Sequence, residues 1–221
     1  MGAAGHLGTA PANSGYGPLV RVYHRDHAGR PIRAAWTLEE AGVPYEVVKM
    51  NYEEGKGPEH FARHPLGRVP VLEDDSGRLL FESAAICLQI ADTNPQAGLI
   101  PAPGTYERGL VYQWAVFGPA ELEPPVIETA MYAESDPERS AKGQARFEKG
   151  VAAVSDALGD NEFLVAGTFS VADVMVGSAL RFTTRIGRPE LLTENLSAYV
   201  ARLADRPALQ RAVQRTENGT S

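Results

Sequence analysis

The stretch Arg68-Val69-Pro70-Val71-Leu72-Glu73-Asp74-Asp75-Ser76-Gly77-Arg78-Leu79-Leu80-Phe81-Glu82-Ser83 decides how this chain folds. Residues 69–73 and 78–81 read as strands, and Asp74-Asp75-Ser76-Gly77 between them is a hairpin signature. Pro70 sits inside the first strand pattern and removes a ladder donor, so that strand lies at an edge or its backbone takes a special geometry. A cis Val69–Pro70 bond is one such geometry, although X-Pro bonds are more often trans. Glu82-Ser83 then opens a helix with apolar spacing through Ala84, Cys87, Leu88 and Ala91. A carboxylate, a hydroxyl and first-turn amides can converge there on one charged ligand end; the same residues can also serve only as an N-cap.

Upstream, residues 19–23 alternate with β-branched and aromatic side chains and read as a strand. A polar turn leads to Pro31, suited to the first position of a helix that carries Ile32, Ala35, Trp36 and Leu38 and closes at Gly42. Residues 45–50 return as a strand, so the first half is a parallel βαβ unit followed by ββα. Asn94-Pro95 and Pro101-Ala102-Pro103-Gly104 break the pattern, and no comparable strand signal follows. Downstream, residues 106–116 and 141–158 have helical spacing, with Leu122-Glu123-Pro124-Pro125 set to kink or end the first helix, and further helices run from Ser170 and Leu196. Phe169-Ser170-Val171-Ala172-Asp173-Val174 supplies a Ser N-cap, an acidic residue three later and a Phe–Val staple, which makes Asp173 a determinant of folding rather than a catalyst. The expected organisation is a tail at 1–18, an α/β domain at 19–94, a linker at 95–105, an all-helical domain at 106–215 and a flexible end at 216–221.

The 221 residues, 43% hydrophobic and 22% charged, suffice for two modest domains with their own cores. A net charge of −7 argues against a nucleic-acid partner, which clustered Lys and Arg would have to attract. The single cysteine, Cys87, cannot form an internal disulfide or a thiolate metal site and fits a reducing compartment. No apolar run of about 18 residues exists, and residues 1–18 lack Lys, Arg and an apolar core, so neither a membrane span nor a signal peptide is expected and the protein reads as cytoplasmic.

Taken together these features resemble a cytosolic glutathione transferase of bacterial type, over residues 19 to about 213. The resemblance rests on Leu38-Glu39-Glu40-Ala41-Gly42, His64-Pro65-Leu66-Gly67-Arg68-Val69-Pro70-Val71-Leu72, Glu82-Ser83 and Phe169-Ser170-Val171-Ala172-Asp173, in that order and spacing. It implies a thioredoxin-like domain that binds glutathione, a helical domain lining the pocket for a hydrophobic electrophile, a homodimer, and a role in detoxification. By position, it implies that Val69 offers its main chain to the cysteinyl part of glutathione with Pro70 cis. It also implies that Glu82 and Ser83 hold the γ-glutamyl end, while Arg68 can add a charge-assisted contact to a carboxylate.

The thiol-activating position departs from that pattern. Counting back from Arg33, the usual Ser falls on Ala28 and its neighbours on Gly29 and Arg30, and no hydroxyl or thiol lies between Asp26 and Arg33. Two substitutes are present: Tyr23 can donate its phenol to sulfur, and Arg30 can set a permanent charge beside the thiolate at a Pro-initiated helix. A non-catalytic binding module and a glutathione-dependent isomerase or dehalogenase are the alternatives. Tyr112 and Phe117 are candidates to line the second-substrate pocket, although aromatics at that spacing, with Trp114, more often form core. His24 with Asp26 and His27, and the pair His60 and His64, fall short of three convergent ligands, so no metal is expected. Arg181, Arg185 and Gly187 read as the closing turn of the helix begun at Ser170.

Overall fold

The computed structural model describes residues 20–26 and 29–218; the expected N-terminal tail, His27, Ala28 and residues 219–221 lie outside them. The first half contains β1 (Val20–Arg25), α1 (Pro31–Ala41), β2 (Tyr45–Met50), α2 (Pro58–Arg63), β3 (Val71–Glu73), β4 (Leu79–Phe81) and α3 (Ser83–Thr93). The strands lie in the order β2-β1-β3-β4, with β1 and β2 parallel and the other pairs antiparallel. This is the mixed sheet of a thioredoxin-like domain. Period-two alternation divides its two faces: Val20, Val22 and Leu72 join the main core with Trp36 and Ile86, whereas Tyr23, Met50 and Val71 form a second cluster. The short α2 lies on that second face, with Arg63 stacked 4.5 Å from the Tyr23 ring centroid. Six residues hold too few turns for a hydrophobic period, so sequence spacing does not reveal α2. Ladder pairing of β3 starts at Val71, not Val69, because Pro70 has no N–H to contribute.

The second half is helical among the described residues: α4 (Tyr106–Phe117), α5 (Glu123–Met131), α6 (Pro137–Leu158), α7 (Val171–Leu180), α8 (Phe182–Arg185), α9 (Glu194–Ala204) and α10 (Pro207–Asn218). A π-helical turn over residues 118–122 joins α4 to α5, and Pro124 and Pro125 occupy the start of α5, where missing N–H groups cost nothing. α7 is buried along nearly its whole circumference and is the axis of the domain. Its close neighbours need small residues: a Cβ on Gly118 would stand 2.9 Å from the Met175 carbonyl oxygen. α7 ends at Leu180, so Arg181 follows it, Arg185 ends the separate α8, and Gly187 takes φ +71° beyond that; the three do not close one helix. One core runs through both halves, with α1 packed on α7 and α10.

The Ser170–Asp173 capping box forms as its spacing predicts. The fully buried Asp173 carboxylate accepts from the Ser170 amide at 2.8 Å, the Leu164 amide at 3.0 Å and the Tyr199 hydroxyl at 2.8 Å. Burial pushes its pKa up against the pull of those donors. Asp173→Ala removes the acceptor of four buried donors, the Ser170 hydroxyl included, and is expected to lower stability by about 3–5 kcal/mol, read by urea unfolding.

A ligand cradle at the cis-proline edge

The Val69–Pro70 peptide bond is cis. With pairing confined to Val71 onward, the Val69 main chain lies beyond the ladder at the open end of β3. His60 and His64 shape the approach. The His60 Nε2 lies 2.9 Å from the Arg68 carbonyl oxygen, so Nε2 carries the proton and donates. His64 Nδ1 accepts from the Leu66 amide at 3.0 Å, and its ring packs against Phe81 with centroids 4.7 Å apart. The two rings thus serve different backbone groups. Burial holds the His64 pKa down, while Glu82 raises it and Arg68 lowers it, which places both exposed charges around this ring.

Glu82 turns the chain from β4 into α3 with φ +69° and ψ 114°, a conformation that costs a non-glycine residue about 1–3 kcal/mol and is kept where a site needs it. Among the described residues no side chain caps this helix start, which leaves its first amides able to receive a carboxylate. Ser83, the first helical residue, is buried, and its hydroxyl accepts from Nη1 of Arg33 at 3.3 Å.

Arg33 leads into a charge cluster that spacing alone does not reveal. Its guanidinium is 2% exposed, and Nη1 also reaches Oε2 of Glu123 on α5 at 3.5 Å. Glu123 takes Arg30 as well, through Nε at 3.1 Å and Nη2 at 3.0 Å. Two guanidinium groups against one carboxylate leave one net positive charge beside the N-termini of α1 and α3. Burial lowers the Arg33 pKa and Glu123 opposes that change. Nε of Arg33 is buried with no hydrogen-bond partner among the described residues.

Profiles described as "Glutathione S-transferase, N-terminal domain" and "Glutathione S-transferase, C-terminal domain" match residues 20–92 and 132–215. Glutathione S-transferase F10 of Arabidopsis thaliana is 30% identical over 193 residues, spanning 80% of this chain and 88% of that protein. This chain belongs to the glutathione S-transferase family. Glutathione S-transferase GstA of Escherichia coli O157:H7 is 28% identical over 80% of this chain and 89% of its own length. The solved structure of a sphingomonad glutathione S-transferase complexed with glutathione superposes with a TM-score of 0.76 at 28% identity, covering 89% of this chain and 98% of that one.

Against this family background, the other sequence candidates fall in different places. Ala28, where a hydroxyl is usual, and His27 lie outside the described residues. Tyr23 donates its hydroxyl to Glu73, which pairs in register with Arg21, so the phenol leans back along β1 and away from the turn into α1. Burial and the Glu73 hydrogen bond raise its pKa, so the phenol stays protonated and bonded to Glu73. Tyr112 accepts from Nε of Arg108 at 2.6 Å, and Arg108 also donates to the Pro101 carbonyl at 2.8 Å, so Tyr112 is tied to the linker. Phe117 packs edge-on against Trp114 at 5.1 Å within the core margin. Cys87 is fully buried, and burial pushes its thiol up to about 11, which leaves it unreactive.

Removing Glu123 would leave Arg33 buried without a counter-charge. Glu123→Ala is expected to lower stability by about 3–5 kcal/mol, and Glu123→Ala combined with Arg33→Met should cost less than the two single changes added together. A double-mutant cycle in urea checks this coupling.

Proposed function

We propose that the chain is a glutathione transferase in which the glutathione thiolate attacks an electrophilic small molecule in the cleft between the two domains. The observation that carries this reading is the juxtaposition of the Val69 main chain, beyond the β3 ladder, with the uncapped N-terminus of α3 at Glu82 and Ser83. An extended tripeptide can add to that strand edge with its α-carboxylate on the helix amides and its α-ammonium on Glu82. The sphingomonad relative, solved in complex with glutathione, supports glutathione as the ligand. Arg68 is the charged group nearest in sequence for the glycyl carboxylate.

Thiol activation falls to the positive charge at the start of α1. A free thiol titrates near ~8.5, so thiolate stabilisation of about 1.4–2.7 kcal/mol makes it mostly ionised at neutral pH. Arg30 is more exposed than Arg33 and shares Glu123 with it, so Arg30 supplies the charge that faces the turn while Arg33 holds the two helix starts together. A non-catalytic binding module is the second reading, favoured by the lack of any hydroxyl or thiol between Asp26 and Arg33. Phe61, Leu66, Leu79 and Phe81 are exposed on α2, the loop after it and β4, and Val116 on α4, which supports assembly as a homodimer. We place the protein in the cytoplasm, where a lone buried thiol persists.

Calorimetric titration with glutathione is expected to show binding that Ser83→Ala weakens by about tenfold. In the wild-type complex the ultraviolet thiolate band should titrate below the free thiol, and Arg30→Ala should raise that apparent pKa. Binding without turnover on a broad electrophile panel would favour the module.

A further inference from the structure

A cavity of about 510 Å³ opens on the β2 side of the β1–α1 turn, whereas the cradle lies on the β3 side of β1. Its volume suits a small molecule. Ile32, Phe182 and Val213 supply apolar wall, and two polar groups on it have no partner among the described residues. Nδ1 of His24 is buried there without a hydrogen bond to any described residue, and His24 is 7% exposed. The half-buried Arg181 guanidinium has no ion pair or hydrogen bond among the described residues, and it borders this cavity and a second one beside α9.

The other charges do not neutralise Arg181. Lys49, in register with His24, pairs with Asp26 at 2.8 Å and reaches the Glu217 carbonyl at 3.4 Å. Arg185 adds a second guanidinium to the wall, and the Glu217 side chain contributes the remaining negative charge from the end of α10. Burial, then Lys49, lowers the His24 pKa against the pull of Asp26, so the ring is neutral at neutral pH and one tautomer offers Nδ1–H to an anion. A partly desolvated guanidinium without a counter-ion is expensive, and a ligand carboxylate would relieve it.

We propose that this cavity binds the carboxylate of an anionic, largely apolar small molecule, with Arg181 as the charge partner and His24 as the second donor. Its role as the electrophilic substrate rests on the transferase reading above; its binding does not. The thiol brought by the cradle and the ligand body from this cavity then meet beside Gly29, which lines the cavity, and Arg30, which bonds Glu123.

The test compares 4-chloro-3-nitrobenzoate with the neutral 4-chloro-3-nitrobenzamide by calorimetry on the full chain without glutathione. The acid is expected to bind at least about tenfold tighter, Arg181→Gln should erase that preference, and Arg181→Lys should restore part of it. Equal affinities for the wild-type protein, or a preference that survives in folded Arg181→Gln, would overturn the proposal. If Arg181→Gln does not fold by circular dichroism, the wild-type comparison and Arg181→Lys decide it: a wild-type preference weakened in Arg181→Lys supports it, and one left intact overturns it. A parallel titration with glutathione separates the two readings. Acid binding without glutathione binding would remove the transferase role and leave the site, and the reverse would remove the site alone.

Discussion

A guanidinium sealed from solvent must find counter-charge and acceptors within the protein, and Arg33 finds them on two other elements at once. One nitrogen reaches both the Ser83 hydroxyl and the Glu123 carboxylate. Through that nitrogen the start of α1, the start of α3 and the start of α5 are tied together, so the cradle and the helical domain are held in register by one buried charge. The arrangement is costly to desolvate and more costly to break, which favours position over net stability.

That constraint gives meaning to the strained residue beside it. Glu82 spends backbone energy to swing α3 so that its first amides are left uncapped. Strain of this kind persists only where neighbours over-determine it, and Ser83, clamped by Arg33, is the neighbour that does so. On the other side of the turn, Arg30 is drawn to the same Glu123. The net positive charge of the cluster therefore sits at the start of α1, in a part of the chain with no hydroxyl or thiol between Asp26 and Arg33.

Much of the fold was legible before any coordinates. The alternation at residues 19–23 and 45–50, the Asp-Asp-Ser-Gly turn and the Ser170–Asp173 box each encode a local rule with a fixed period or offset; among the described residues the strands appear at Val20–Arg25 and Tyr45–Met50, and the turn and the box form. The break in the β3 ladder at Pro70 and the helix start at Ser83 were legible for the same reason, since a proline in a strand and an acidic residue before a helix are local irregularities. What escaped was short or long-range. α2 is too brief for a period, Arg181 and Arg185 belong to different elements, and Tyr112 and Phe117 look alike whether they face a pocket, a linker or the core.

The sequence by itself determined the order of elements, the break between an α/β half and a helical half, and the position of the cradle along the chain, because propensity, periodicity and turn chemistry act over a few residues. Only the tertiary structure decided which charges meet. Arg30, Arg33 and Glu123 are separated by some ninety residues of chain between first and last, and His24 and Arg181 by more. No local rule relates them. Packing of α7 and α10 against α1, and the reach of Glu123 from α5, bring them together, and burial then makes their pairing, or its absence, matter.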